Sequence, residues 1–75
     1  MTANEALDAY LRSLDPKERA AKSRDIRSLC QKSRSVLYDW RKGRSQIEVV
    51  WRDKITEAVG ENIFENVTNW LNWHG

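Results

Sequence analysis

The placement of helix breakers constrains this chain more than any other feature of its sequence. Proline occurs once, at Pro16, and glycine three times, at Gly43, Gly60 and Gly75. Between these points apolar residues recur three and four positions apart, and no segment alternates with the period of two that a strand needs. The chain is therefore expected to be all-α, with short turns at the breakers. In the first segment Leu7, Tyr10, Leu11 and Leu14 form one stripe, which predicts a helix from about residue 3 to residue 14 with Thr2 or Asn4 as its cap. Asp15-Pro16-Lys17-Glu18 supplies an N-cap acid, a proline at the first helical position where no N–H is needed, and an acid at the third. A second helix starts there, with a break or kink expected near Ser23 before Ile26, Leu29 and Cys30 on one face.

Ser33 reads as the cap of a third helix, Arg34 to Lys42, which places Val36, Leu37 and Trp40 on one side and stops at Gly43 as a left-handed cap. Ser45 is expected to cap a fourth, whose stripe is Ile47, Val50, Trp51, Ile55, Ala58 and Val59 and whose stop is Gly60. Ile63, Phe64, Val67, Trp70 and Leu71 predict a fifth helix over the last fifteen residues. A chain of 75 residues buries only about 60% of its unfolded surface, enough for one core. The expectation is a single domain spanning residues 1–75, a small four- to five-helix bundle. Its core is predicted to hold Leu11, Leu14, Ile26, Leu29, Leu37, Trp40, Val50, Trp51, Ile55 and Phe64.

Several function classes drop out on composition. Cys30 is the sole cysteine and His74 the sole histidine, so neither a disulfide framework nor a Cys-based zinc site is expected, and Cys30 reads as a small core hydrophobe. No nucleophile paired with a base, no paired carboxylates and no phosphate-cradling glycine loop is evident, so the chain is not expected to be an enzyme, to carry a cofactor or to bind a small-molecule substrate. No apolar run approaches the roughly 18 residues of a membrane span. The opening Met1-Thr2-Ala3-Asn4-Glu5 lacks the basic-then-apolar order of a signal peptide, so a cytoplasmic protein is expected and Asn66-Val67-Thr68 reads as a chance match to a glycosylation acceptor.

The net charge of +2 conceals an asymmetry. Residues 12–44 hold eleven Lys and Arg (Arg12, Lys17, Arg19, Lys22, Arg24, Arg27, Lys32, Arg34, Arg41, Lys42, Arg44) against four acids (Asp15, Glu18, Asp25, Asp39), so that window is +7 and the remainder −5. Such a dipole favours a polyanion on one side of a small domain, and nucleic acid is the leading candidate; solvated helix faces are the plainer reading of the same charges. The helix ending near Cys30, the turn Gln31-Lys32-Ser33 and the helix Arg34 to Lys42 have the spacing of a helix-turn-helix unit, whose second helix lies in the major groove. Burying Val36, Leu37 and Trp40 leaves Arg34, Ser35, Tyr38 and Asp39 outward.

The stretch Ser33-Arg34-Ser35-Val36-Leu37-Tyr38-Asp39-Trp40-Arg41-Lys42-Gly43-Arg44 resembles the recognition helix and following turn of the lambda-repressor-like family, which includes Cro and the xenobiotic-response-element regulators. The match is to Ser-x-x-x-aliphatic-x-x-Trp-x-x-Gly-Arg, and Ala58-Val59-Gly60 is similar to the stop of the long helix that follows; coverage runs from about Arg24 to Phe64. Arg27 stands where the family usually has a small Ala, and Gln31-Lys32 replaces its usual Gly-Val, so the chain is similar to a divergent member of phage or mobile-element type. The resemblance implies sequence-specific binding to double-stranded DNA and transcriptional regulation. It implies that Ser33, Arg34, Ser35 and Tyr38 read bases, while Ser23, Arg24, Lys42 and Arg44 meet phosphates. The chemistry is consistent, since Arg pairs bidentately with guanine and cations near helix ends neutralise phosphate. Asp39 is expected to accept from cytosine N4 or to pair within its helix, with Arg34 or Arg41.

Trp40 and Trp51 are expected in the core. Trp73 is open to two readings, an incidental exposed aromatic or an anchor of a homodimer on DNA, and His74 is not expected to act as a catalytic or metal-binding residue. The competing reading of the whole chain is a small helical protein-protein interaction module whose basic face docks an acidic partner.

Overall fold

A computed structural model describes residues 1–65 and 67 of the chain. Four helices and no strand occur among them: α1 (Ala3–Ser13), α2 (Pro16–Cys30), α3 (Arg34–Lys42) and α4 (Val49–Val59). Each start has a local cause. Thr2 Oγ1 accepts from the Glu5 N–H and Glu5 returns the bond to the Thr2 N–H, a reciprocal cap that satisfies two donors at the head of α1. Asp15 accepts from the Glu18 N–H one residue before Pro16, and Ser33 Oγ accepts from the Val36 N–H at the head of α3.

The expected break near Ser23 is absent, and α2 runs unbroken for 15 residues. A mid-helix serine is tolerated because the hydrogen-bond ladder forms around it, and the downstream positions Ile26 and Cys30 keep one buried face. Ser45 does not cap α4 either. Glu48 occupies that position with no side-chain cap, and Ile47 lies before the helix, fully buried as a plug in the connection from α3.

The helix ends follow from backbone handedness. At the end of α3 Gly43 takes φ 77°, the Arg44 N–H reaches the Asp39 carbonyl and the Gly43 N–H that of Trp40. The same paired closure ends α2, where the left-handed residue is Gln31 at φ 55°, ψ 44°. Gly60 stops α4 at φ 83°. Beyond it residues 61–65 form a bend and a turn, and of the rest of the expected fifth helix only Val67 lies within the described residues; Ile63, Phe64 and Val67 pack on the core. The expectations on Asn66, Thr68, Trp70, Leu71, Trp73 and His74 fall outside the described residues.

Leu7, Leu11, Ile26, Ile47 and Ile55 are fully enclosed, joined by Ala3, Cys30, Leu37, Trp40 and Val59. Leu14, Trp51 and Phe64 are half-buried and pack against this core, whereas Leu29, also expected in the core, is half-buried along a surface groove beside Asp25 and Glu57. Val50, expected in the core, is 53% exposed. The inward stripe of α4 keeps the expected Trp51, Ile55, Ala58 and Val59 and takes Arg52 in place of Val50. Arg52 can occupy it because its stem is apolar and its Nε donates to the Ile47 carbonyl at 3.0 Å. Burial pushes its guanidinium pKa down from the ordinary value. Cys30 is buried as expected, and burial pushes its thiol pKa up, against the smaller opposing effect of Lys54 and Lys32.

The helices pair unevenly. α2 packs chiefly on α4 and α1 chiefly on α3, whereas α2 and α3, adjacent in sequence, touch little. No helix among the described residues is long and apolar enough to cross a membrane.

Candidate nucleic-acid interface

The surface of interest is built around α3, a helix gripped from behind. Leu37 and Trp40 bury its inner side. Asn4, at the head of α1, donates through Nδ2 to the Trp40 carbonyl at 2.8 Å, which also accepts from the Gly43 N–H, and to the Ser45 carbonyl in the following connection at 2.7 Å. One turn further along α1, Asp8 accepts from Arg41 Nε at 2.8 Å. Burial acts to raise the Asp8 pKa, but the hydrogen bonds and charges of Arg41 and then Arg12 lower it by more, so it lies below its ordinary value.

With its back held, α3 presents Arg34, Ser35, Tyr38 and Lys42 outward, all exposed. At about 100° per residue these four positions lie within an arc of about 100° on one face. Lys42 Nζ lies 5.5 Å from the Tyr38 ring centroid, and the Arg44 guanidinium 5.6 Å from it, so the exposed ring is flanked by two cations. The face is thus positive, with one aromatic hydroxyl among its charges. Ser33 is exposed too, but its oxygen already accepts the Val36 N–H as the cap of α3. What remains to it for a ligand is chiefly its O–H.

Of the residues expected to meet phosphates, Lys42 and Arg44 lie with this face and Arg24 is exposed on α2. Ser23 is half-buried and looks into the space between α2 and α3. Asp39 pairs with neither Arg34 nor Arg41. Its Oδ1 lies 3.9 Å from Arg44, beyond the helix end, because the left-handed turn at Gly43 folds the chain back toward it. That contact is loose and its Arg44 side chain is 66% exposed, so it is easily exchanged for another anion.

Several cations of the basic segment turn out to be committed to the fold. Arg19 donates to the Leu11 and Leu14 carbonyls, both at 2.9 Å, and closes the C-terminus of α1. Lys32 stands 4.4 Å over the ring of Trp51, which itself lies 6.5 Å from Trp40. Charge counting overlooked these ties because they are made to carbonyls and rings that adjoin only in three dimensions.

The sequence reading also missed Arg27 and Arg41. Because α2 and α3 diverge, a cleft of about 350 Å³ opens between them, lined by Ser23 and Arg27 from one side and by Arg34, Leu37, Tyr38 and Arg41 from the other. The signal was present: Arg34, Tyr38 and Arg41 are spaced i, i+4, i+7, as Ser23 and Arg27 are spaced i, i+4. Among the described residues no group of His, Cys, Asp and Glu is placed to hold a metal ion. Comparison of the chain with protein-family models, with curated proteins and with solved structures finds no match.

Proposed function

We propose that this protein binds double-stranded DNA as a helix-turn-helix module of lambda-repressor-like type and regulates transcription, α3 acting as the recognition helix. The observation that carries the reading is the face of α3: Arg34, Ser35, Tyr38 and Lys42 share one exposed arc while Leu37 and Trp40 bury the inner side and the Asp8–Arg41 pair ties one flank of the helix to α1. A helix with its side chains measures about 10–12 Å across and the major groove is about 12 Å wide, so a rigidly backed, outward-facing helix suits that groove. The connection of three residues between α2 and α3 and the +7 segment around it support the same reading. In this arrangement Arg34, Ser35 and Tyr38 meet base edges with the Ser33 hydroxyl beside them. Arg24, Lys42 and Arg44, with Ser23, lie toward the phosphates.

Arg34 tests the proposal most directly, since a fork-shaped donor on the first turn of a recognition helix pairs with guanine O6 and N7. After the preferred duplex has been selected from a random pool, Arg34→Ala should cost roughly 1–3 kcal/mol on that duplex and much less on random DNA at the same salt. A proportional loss on both duplexes would remove Arg34 from base reading. Displacement of duplex by an equal charge of acidic polypeptide would favour a protein-docking module instead.

A further inference from the structure

We propose that the cleft between α2 and α3 is an oxyanion site with Arg27 as its central ligand, filled on duplex DNA by a backbone phosphate. In that last respect it rests on the DNA-binding reading; the anion chemistry does not. Arg27 lies in the last turn of α2, half-buried, and makes no ion pair among the described residues. Across from it stand Arg34, likewise without an ion pair among those residues, and Arg41. No carboxylate lines the cleft. Three guanidinium groups around one concavity repel one another, and an anion seated between them reverses the sign of that interaction.

The donors suit phosphate. A guanidinium offers a planar fork that matches two phosphate oxygens, and the Ser23 and Tyr38 hydroxyls add donors from either wall. Arg41 is held by Asp8 through Nε at 2.8 Å, which leaves its terminal N–H groups and fixes the stem in advance. Leu37 forms part of the wall, and its apolar surface strengthens the charge interactions beside it. A volume of about 350 Å³ takes one phosphate group with water around it. The rival account is that Arg27 merely offsets the negative end of the α2 dipole and stays solvated; it predicts no selectivity for phosphate over chloride.

The experiment uses the full chain in two arms. Inorganic phosphate is titrated against chloride at constant ionic strength while the arginine Nε–H signals are followed by NMR. Arg27 and Arg41 should shift and saturate in the wild type and lose the response in Arg27→Gln, with the Trp40 indole signal unmoved as the check on folding. In the second arm the salt dependence of duplex binding is measured, and Arg27→Gln should flatten its logarithmic slope by about 0.9 while Arg27→Lys, which keeps the charge, should not. A response in both arms, or in the duplex arm alone, supports the backbone phosphate. A response to phosphate with an unchanged slope, or with no duplex binding at all, keeps the oxyanion site and assigns it to a small phosphate compound. Silence in the phosphate arm together with an unchanged slope overturns the proposal even if α3 still binds duplex.

Discussion

Leu37 and Leu11 are both buried leucines, yet truncating them should not cost the same. Leu37 is 5% exposed on the inner side of α3 and Leu11 is fully enclosed on α1. Either change to Ala removes apolar surface worth about 2–2.5 kcal/mol, at roughly 0.8 kcal/mol per buried CH2. The void left behind adds about 24 cal/mol per Å³, so an unrelaxed space of about 50 Å³ costs about 1.2 kcal/mol more. Leu37 also lines the open α2–α3 cleft, and a void there joins solvent-accessible space instead of persisting as an empty cavity. Leu11→Ala should therefore cost about 3–4 kcal/mol and Leu37→Ala about 2–3 kcal/mol.

For 75 residues a total stability of about 4–11 kcal/mol is expected, so both losses are large but measurable. Urea denaturation followed by tryptophan fluorescence reads them directly. With a slope of about 1 kcal/mol/M, the two variants should differ in midpoint by about 1 M. A Leu37→Ala loss equal to or above that of Leu11→Ala would mean the cleft gives no relief, and a loss below about 1 kcal/mol would reject the burial of Leu37 itself.

Asp8 supplies a pH test, because its folded pKa is lowered: the stability it contributes is present above the unfolded value of about 3.9 and is lost as pH falls through the lowered folded value. Asp8→Asn should thus cost about 1 kcal/mol at pH 7, with the gap to wild type closing below about pH 4; thermal melts at both pH values that show a constant gap would contradict the ion pair. Gln31→Gly should raise stability by about 0.5–1 kcal/mol, since glycine adopts the left-handed conformation without the Cβ clash, and a lowered melting temperature would count against the αL closure of α2. On DNA, Arg44→Ala should flatten the salt slope by about 0.9 and weaken all sequences alike; an unchanged slope withdraws its phosphate role.

The local chemistry of the chain determined where three of the four helices begin and where the last two end. Thr2, Asp15 and Ser33 cap, while Gly43 and Gly60 stop, through bonds made within a few residues. The three-residue connection after Cys30 and the exposure of Arg34, Ser35 and Tyr38 were legible for the same reason, because the period of a short helix decides which side is apolar. Where local cues competed, tertiary contact decided. Ser23 looks like a cap and Ser45 like another, yet α2 continues through the first and α4 begins after the second, with Ile47 buried before it. The inward turn of Arg52 in place of Val50 depends on the Ile47 carbonyl that receives its Nε. Which cations are free is likewise a property of the assembled helices: Arg19 closes α1, Arg41 answers Asp8 from 33 residues away, and Arg27 remains in a cleft that exists because α2 leans on α4 and α3 on α1. Spacing along one helix reveals which side chains share a face, but the partner across the gap is set by packing between elements distant in sequence.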